Sequence, residues 1–198
     1  MGTVEWLTRR GATDRNGNQA RLGVARYEAK PHEKGLSRML QLLPVDGHNV
    51  WDILELRVRE DQKEFVAPND ISLIEAYIAL AHNASAFPFG IYDDETLVGF
   101  LMVGFGVDDS WDDAPAIAQD NYSLWRLMID RRYQGRGYGR AAVRLALDFI
   151  KTLPCGPADY CRLSYEPTNT VARNLYHSFG FVETGEKDGD EQIAVLKL

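Results

Sequence analysis

Leu124-Trp125-Arg126-Leu127-Met128-Ile129, followed after a short basic connection by Gln134-Gly135-Arg136-Gly137-Tyr138-Gly139, is the stretch that decides the fold. The apolar run Tyr122 to Ile129 reads as a strand. Gly137 to Thr152 reads as an amphipathic helix, with Ala142, Leu145, Ala146, Phe149 and Ile150 inward. Three glycines therefore sit where a strand hands over to a helix. Glycine lets backbone amides approach a ligand without a Cβ in the way, and the first helical turn adds unpaired N–H groups and the positive end of the dipole. The junction is an anion site. Spacing excludes two kinds: no Gly-Lys-Ser/Thr follows, as a P-loop requires, and Arg140 stands where a dinucleotide fingerprint needs its last glycine.

A second motif lies a strand and a helix beyond the loop, at Glu166-Pro167-Thr168-Asn169-Thr170-Val171-Ala172-Arg173-Asn174-Leu175-Tyr176-His177-Ser178-Phe179-Gly180-Phe181. On a helix, Asn169, Ala172 and Tyr176 fall within about 60° of one another. Val171, Leu175 and Phe179 form a neighbouring apolar stripe, His177 points elsewhere, and Gly180 is a left-handed stop. A phenol with an ordinary pKa near ~10 keeps its proton at neutral pH and can give it to a departing thiolate.

Gln134, Gly137 and Gly139 satisfy the pattern Gln/Arg-x-x-Gly-x-Gly/Ala, and with the second motif the chain resembles the GCN5-related N-acetyltransferase (GNAT) family. The resemblance implies an α/β (α+β) fold. Its central mixed, mostly antiparallel twisted sheet has six to seven strands, about four flanking helices and a splayed pair of parallel central strands. It makes the anion the pyrophosphate of acetyl-CoA, held by Gln134, Gly135, Arg136, Gly137, Tyr138, Gly139 and Arg140. It assigns the pantetheine arm to Asn169 and to the backbone of Leu127, Met128 and Ile129, and the thioester sulfur to Tyr176. Ala172, Arg173 and Asn174 are further cofactor contacts. No metal is implied.

For the general base the residues offer Glu60, Glu64, Asp130 and Glu166 without ranking them. Glu64-Phe65-Val66-Ala67-Pro68-Asn69, Leu163-Ser164-Tyr165-Glu166-Pro167 and Ala194-Val195-Leu196-Lys197-Leu198 look like bacterial diamine and polyamine N-acetyltransferases. A polyamine is a chain of ammonium groups that carboxylates bind by charge-assisted hydrogen bonds. Glu60, Glu64, Glu166 and the acidic loop Asp108 to Asp113 are the substrate candidates. An aminoglycoside, peptide or protein amine is an alternative acceptor, and a non-catalytic coenzyme A-binding module is an alternative of another class. The family often pairs into dimers, so a homodimer through the terminal strand or the N-terminal extension is a further expectation.

The rest of the chain agrees with one domain. Of 198 residues, 45% are hydrophobic, enough for a core without staples. The net charge is −7, and with the basic first 38 residues set aside the remainder is more acidic still, which disfavours nucleic acid. The two cysteines, Cys155 and Cys161, indicate neither a zinc site nor a disulfide framework. No run has membrane-spanning length, and a cytoplasmic location is expected. Residues 1 to 36 read as an extension with a short hairpin around Gly17, and residues 37 to 198 as the acetyltransferase domain.

Among the remaining elements, Met39 to Leu43 is a predicted strand, followed by a helix from Asp46 through Trp51, Leu54 and Val58. Asn69 is predicted to cap a helix to His82 with Ile71, Ile74, Tyr77 and Ile78 recurring at helical spacing. Phe87 to Tyr92 and Thr96 to Phe105 flank a polar turn, and Tyr160 to Tyr165, Phe181 to Glu183 and Gln192 to Leu198 complete the sheet.

Overall fold

The computed structural model describes residues 40–198 and the backbone of Met39 and of Ala25–Glu28, so the expected hairpin around Gly17 lies outside the described residues. Its sheet contains β1 (Ala25–Glu28), β2 (Met39–Pro44), β3 (Ser85–Asp93), β4 (Thr96–Phe105), β5 (Tyr122–Ile129), β6 (Tyr160–Tyr165), β7 (Val182–Asp188) and β8 (Glu191–Lys197). The helices are α1 (Val50–Leu54), α2 (Asn69–Ala81), α3 (Tyr138–Ile150) and α4 (Thr170–His177). The strand order is β1-β2-β3-β4-β5-β6-β8-β7. Neighbours run antiparallel except β5 and β6. β1 comes from the stretch read as an extension and adds a strand at the edge.

A bulge at Val98 and alternation beyond it let β4 build a core on each face of the sheet. Val98, Leu101 and Val103 pack with Leu145, Phe149 and Ile150 of α3, where Phe149 meets Phe87 and Phe89 edge-on at 5.2 and 5.1 Å. Phe100 and Met102 face the other way, onto Ile53 of α1 and Ala76 and Ala79 of α2.

Helix α2 corrects the reading of its periodicity. Ser72, Ala76 and Ala79 lie on the sheet, whereas Ile71, Ile74, Tyr77 and Ile78 are exposed, Ile74 at 55%. Small residues let the helix approach the sheet closely, and that spacing outweighs the larger area an inward isoleucine face would bury. Asn69 is the first helical residue rather than the cap. Its buried Nδ2 donates to Ile53 O at 2.8 Å and ties α2 to α1. α1 also stops at Leu54, short of Val58, because the backbone N–H of Arg57 is drawn to Asp130 Oδ2 at 3.0 Å. A 3-10 turn, Glu60–Phe65, follows. In α4, Val171 is exposed at 72%, so the apolar stripe is reduced to Leu175 and Phe179. β7 runs past Glu183 to Asp188, an extension hidden from pattern reading because nearly all its side chains face solvent.

Candidate active site

β5 and β6 pair only at Tyr122–Cys161 and Ser123–Arg162. Beyond Ser123, β5 carries a register shift against β4, with Met102 opposite Arg126 and Val103 opposite Leu124, which leaves Trp125 as the extra residue of a bulge. A bulge bends its strand, and the two parallel strands separate. The backbone of Leu124 to Ile129 on that side has no neighbouring strand, and a cavity of about 470 Å³ opens at the gap.

One wall of the cavity is Leu127, Leu163, Tyr165, Asn169, Ala172 and Tyr176. The rings of Tyr165 and Tyr176 lie 6.0 Å apart between centroids and are tilted by 38°, and Phe181 supports Tyr176 at 5.9 Å. Burial, and next the charge of Glu191, push the Tyr176 phenol well above its ordinary pKa, so it holds its proton at neutral pH. Among the described residues none hydrogen-bonds the Tyr176 hydroxyl. Tyr165 differs: burial, then its bond to Glu183, push its phenol up to about 12, and its hydroxyl donates to Glu183 Oε1 at 2.7 Å. Asn169 is the α4 cap, with Oδ1 accepting the Ala172 N–H at 3.1 Å, which leaves its Nδ2 amide uncommitted.

The glycine loop leads into α3, whose first turn meets the end of α4 through Gly139 beside Leu175 and Arg140 bonded to Ser178. Gly135 and Gly137 have φ of 75° and 85°, and a Cβ on either would meet nothing within 4 Å, so both turn the backbone beside open space. The first N–H groups of α3 have no carbonyl one turn back. Gly139 serves packing instead, since its Cβ position lies 3.7 Å from Leu175.

Several loop side chains are bound within the protein. Gln134 Nε2 donates to Ile129 O at 2.9 Å and to Gln62 at 2.8 Å, and its Oε1 accepts from Arg59 at 2.7 Å. Tyr138 donates its hydroxyl to Asp93. Arg136 reaches Arg132 O, and Arg140 donates to Ser178 while lying over Phe179, both at the surface. Met128 is buried in the α1–α2 core and Ile129 packs toward α3, so only Leu127 of this trio lines the cavity by its side chain. Arg173 is paired with Glu183 at 2.9 Å and Asn174 is exposed, and neither lines the cavity.

The carboxylates sort differently from their order in the sequence. Glu64 reaches the cavity. Glu60 sits in solvent beside Lys63, and Glu166 is not on the wall. Asp130, only 2% exposed, is consumed by structure: it accepts the Arg57 and Arg132 N–H groups and the Arg132 Nε at 2.8 Å. Burial raises its pKa, but these bonds outweigh that and hold the carboxyl below the usual range. Of the acids in the loop Asp108 to Asp113, Asp108 alone lines the cavity, beside Trp111. Glu75, Asp108, Asp188 and Glu191 join Glu64 there, with Arg126 and Arg162 between them. Glu75 pairs with Arg126 at 2.7 Å, and Asp188 stands 3.7 Å from the buried Arg162, itself under Trp111. Glu75, Asp188 and Glu191 carry no local sequence signal.

Cys155 and Cys161 are free thiols, the latter buried with its thiol pushed up to about 12 by burial. Among the described residues no group of three or more His, Cys, Asp or Glu could hold a metal ion, and no helix is long and apolar enough to cross a membrane.

This arrangement has relatives. The spermine/spermidine N(1)-acetyltransferase of Bacillus subtilis (strain 168) is 30% identical over 164 residues, covering 80% of this chain and 99% of that protein. Among solved structures, the PaiA N-acetyltransferase of Thermoplasma acidophilum in complex with coenzyme A superposes at TM-score 0.55 with 17% identity, over 80% of this chain and 99% of that one. The aminoglycoside acetyltransferase AAC(6')-Ib in complex with coenzyme A reaches 0.61 with 18% identity, over 80% and 94%. At these identities the two structures share the fold. The model of the Acetyltransferase (GNAT) family matches residues 37–181, over the splayed strands, the glycine loop and α4, so this chain belongs to that family and is an acetyl-CoA-dependent acetyltransferase.

Proposed function

We propose that the chain moves the acetyl group of acetyl-CoA onto a primary amine of a diamine or polyamine such as spermidine, by direct attack in a ternary complex. The observation that carries the acceptor is the cavity wall, where five carboxylates, Glu64, Glu75, Asp108, Asp188 and Glu191, stand against two guanidiniums. An extended cation gains charge-assisted hydrogen bonds along such a surface. The similarity to a spermine/spermidine acetyltransferase over nearly that protein's whole length supports the same class.

On the cofactor side, the open space beside Gly135 and Gly137 suits a pyrophosphate, met by loop amides and the α3 N-terminus. The Asn169 Nδ2 amide and the strandless backbone from Leu127 to Ile129 suit the amides of the pantetheine arm. Tyr176 gives its proton to the departing sulfur. Residues 37–198 are the unit that carries this chemistry.

Arg162 favours a second acceptor, because its buried guanidinium is outside hydrogen-bond reach of Asp188 and offers donors that a plain polyamine cannot use. An amino sugar, with hydroxyl acceptors beside its amines, would use them. A panel of spermidine, putrescine, aminoglycosides and peptides, followed by thiol release from acetyl-CoA, separates the two. Higher kcat/KM for spermidine or putrescine supports the proposal; a clear preference for the amino sugars reverses it.

A further inference from the structure

The cavity passes through the sheet between β5 and β6, and its two mouths differ. Leu163 and Tyr165 point to the core shared with α3 and α4, where Tyr176 stands. Arg162 and Ser164 alternate with them and therefore project from the other face. The turn between β7 and β8 brings Asp188 and Glu191 to this second face, where Ser164 Oγ donates to Glu191 Oε2 and Arg162 stands beside Asp188. The acceptor must approach from here if the cofactor lies along α4.

We propose that Glu191 is the general base of the transfer, taking the proton of the acceptor ammonium across the gap from Tyr176. This assignment rests on the amine-acetyltransferase reading above. The other acids of the wall are otherwise engaged or remote: Glu75 is paired with Arg126, Asp188 faces Arg162, and Asp108 accepts from the Ser110 N–H and hydroxyl. Glu64 is exposed at the rim. Glu191 stands close enough to Arg162 for its charge to act there but makes no ion pair with it; Ser164 orients it through one oxygen, and among the described residues none bonds the other. Glu191 and Tyr176 both line the one cavity, from opposite faces of the gap.

The protons balance. Glu191 Oε1 takes one proton from the ammonium. The neutral nitrogen then bonds the acetyl carbon while the carbon–sulfur bond breaks, and the sulfur leaves with the electron pair and takes the Tyr176 proton. The new amide nitrogen returns its surplus proton to the Tyr176 phenolate, and Glu191 releases its own to water.

The test compares the full chain with Glu191→Gln, an isostere that can keep the Ser164 contact, and with Glu191→Asp as a second variant. kcat and KM for spermidine are measured from about pH 7 to pH 10, through the range where solvent deprotonates an alkylamine unaided. Thermal midpoint and acetyl-CoA affinity are measured alongside. The expected result is a kcat about 100-fold lower for Glu191→Gln at pH 7. That deficit should shrink to within about tenfold near pH 10, with acetyl-CoA affinity and midpoint kept, and Glu191→Asp should lose less. A deficit constant with pH, or a raised KM at unchanged kcat, overturns the assignment and leaves the acetyltransferase reading intact. If the wild type prefers another amine, the same comparison is run on that amine. A wild type inert on every amine removes both.

Discussion

The ring of Tyr165 stands 6.0 Å from that of Tyr176, yet only Tyr165 has its hydroxyl donated to a carboxylate, Glu183. Two phenols thus face one cavity, and one of them retains an uncommitted proton. Removing each oxygen should separate their roles. Tyr176→Phe is expected to lower kcat by about 100-fold or more with acetyl-CoA affinity little changed, because the donor acts only as the thiolate forms. Tyr165→Phe should lower kcat by less than about tenfold. Steady-state kinetics with calorimetric cofactor binding checks both.

The glycine loop makes a second prediction. Gly137 sits at φ of 85°, where a side chain costs about 1–2 kcal/mol, so Gly137→Ala should destabilise the fold by that order in urea titration. The added methyl group meets nothing within 4 Å in the free protein. A loss of acetyl-CoA affinity of about tenfold beyond the stability change therefore reports the ligand in that space. Gly47→Ala, also in open space but without a positive φ, should leave both unchanged.

Asp130 predicts a pH dependence of stability. Its carboxyl is held below the ordinary value of 3.8, so ionised Asp130 stabilises the native state above that pH, and the contribution disappears as pH falls through the native value. Asp130→Asn should cost about 1.5–3 kcal/mol at pH 7, the loss of a charged hydrogen-bond acceptor. The difference between the two proteins should narrow below about pH 4. Equal stability at neutral pH would show that the Arg57 and Arg132 bonds do not hold the loop.

Helix α2 predicts an inversion of the usual rule. Ala76, 3% exposed, should tolerate enlargement poorly, with Ala76→Leu destabilising by about 1–3 kcal/mol. Ile74→Ser on the exposed face should change stability by no more than about 0.5 kcal/mol. Thermal denaturation of the two variants decides.

Much of the fold was legible because the segments that carry it are locally self-consistent. Tyr122 to Ile129, the glycine turn and the amphipathic α3 each satisfy one period, and Gly180 stops α4 in the left-handed region at φ of 93° as its position implies. α2 failed the same test because periodicity shows which face is apolar, whereas the sheet accepted the face with the smallest side chains. Asp130 stands among the base candidates in the sequence because sequence shows an acid but not the three donors folded around it.

The sequence by itself determined the family, the glycine turn and the helix that carries Asn169 and Tyr176, since these are short contiguous patterns whose geometry is local. Only the tertiary structure decided which carboxylates face the cavity. Glu64, Glu75, Asp108, Asp188 and Glu191 come from a 3-10 turn, a helix, a loop, a strand end and a strand start. Two of them meet the cavity because β8 lies beside β6, with β7 at the edge, an order no local pattern encodes.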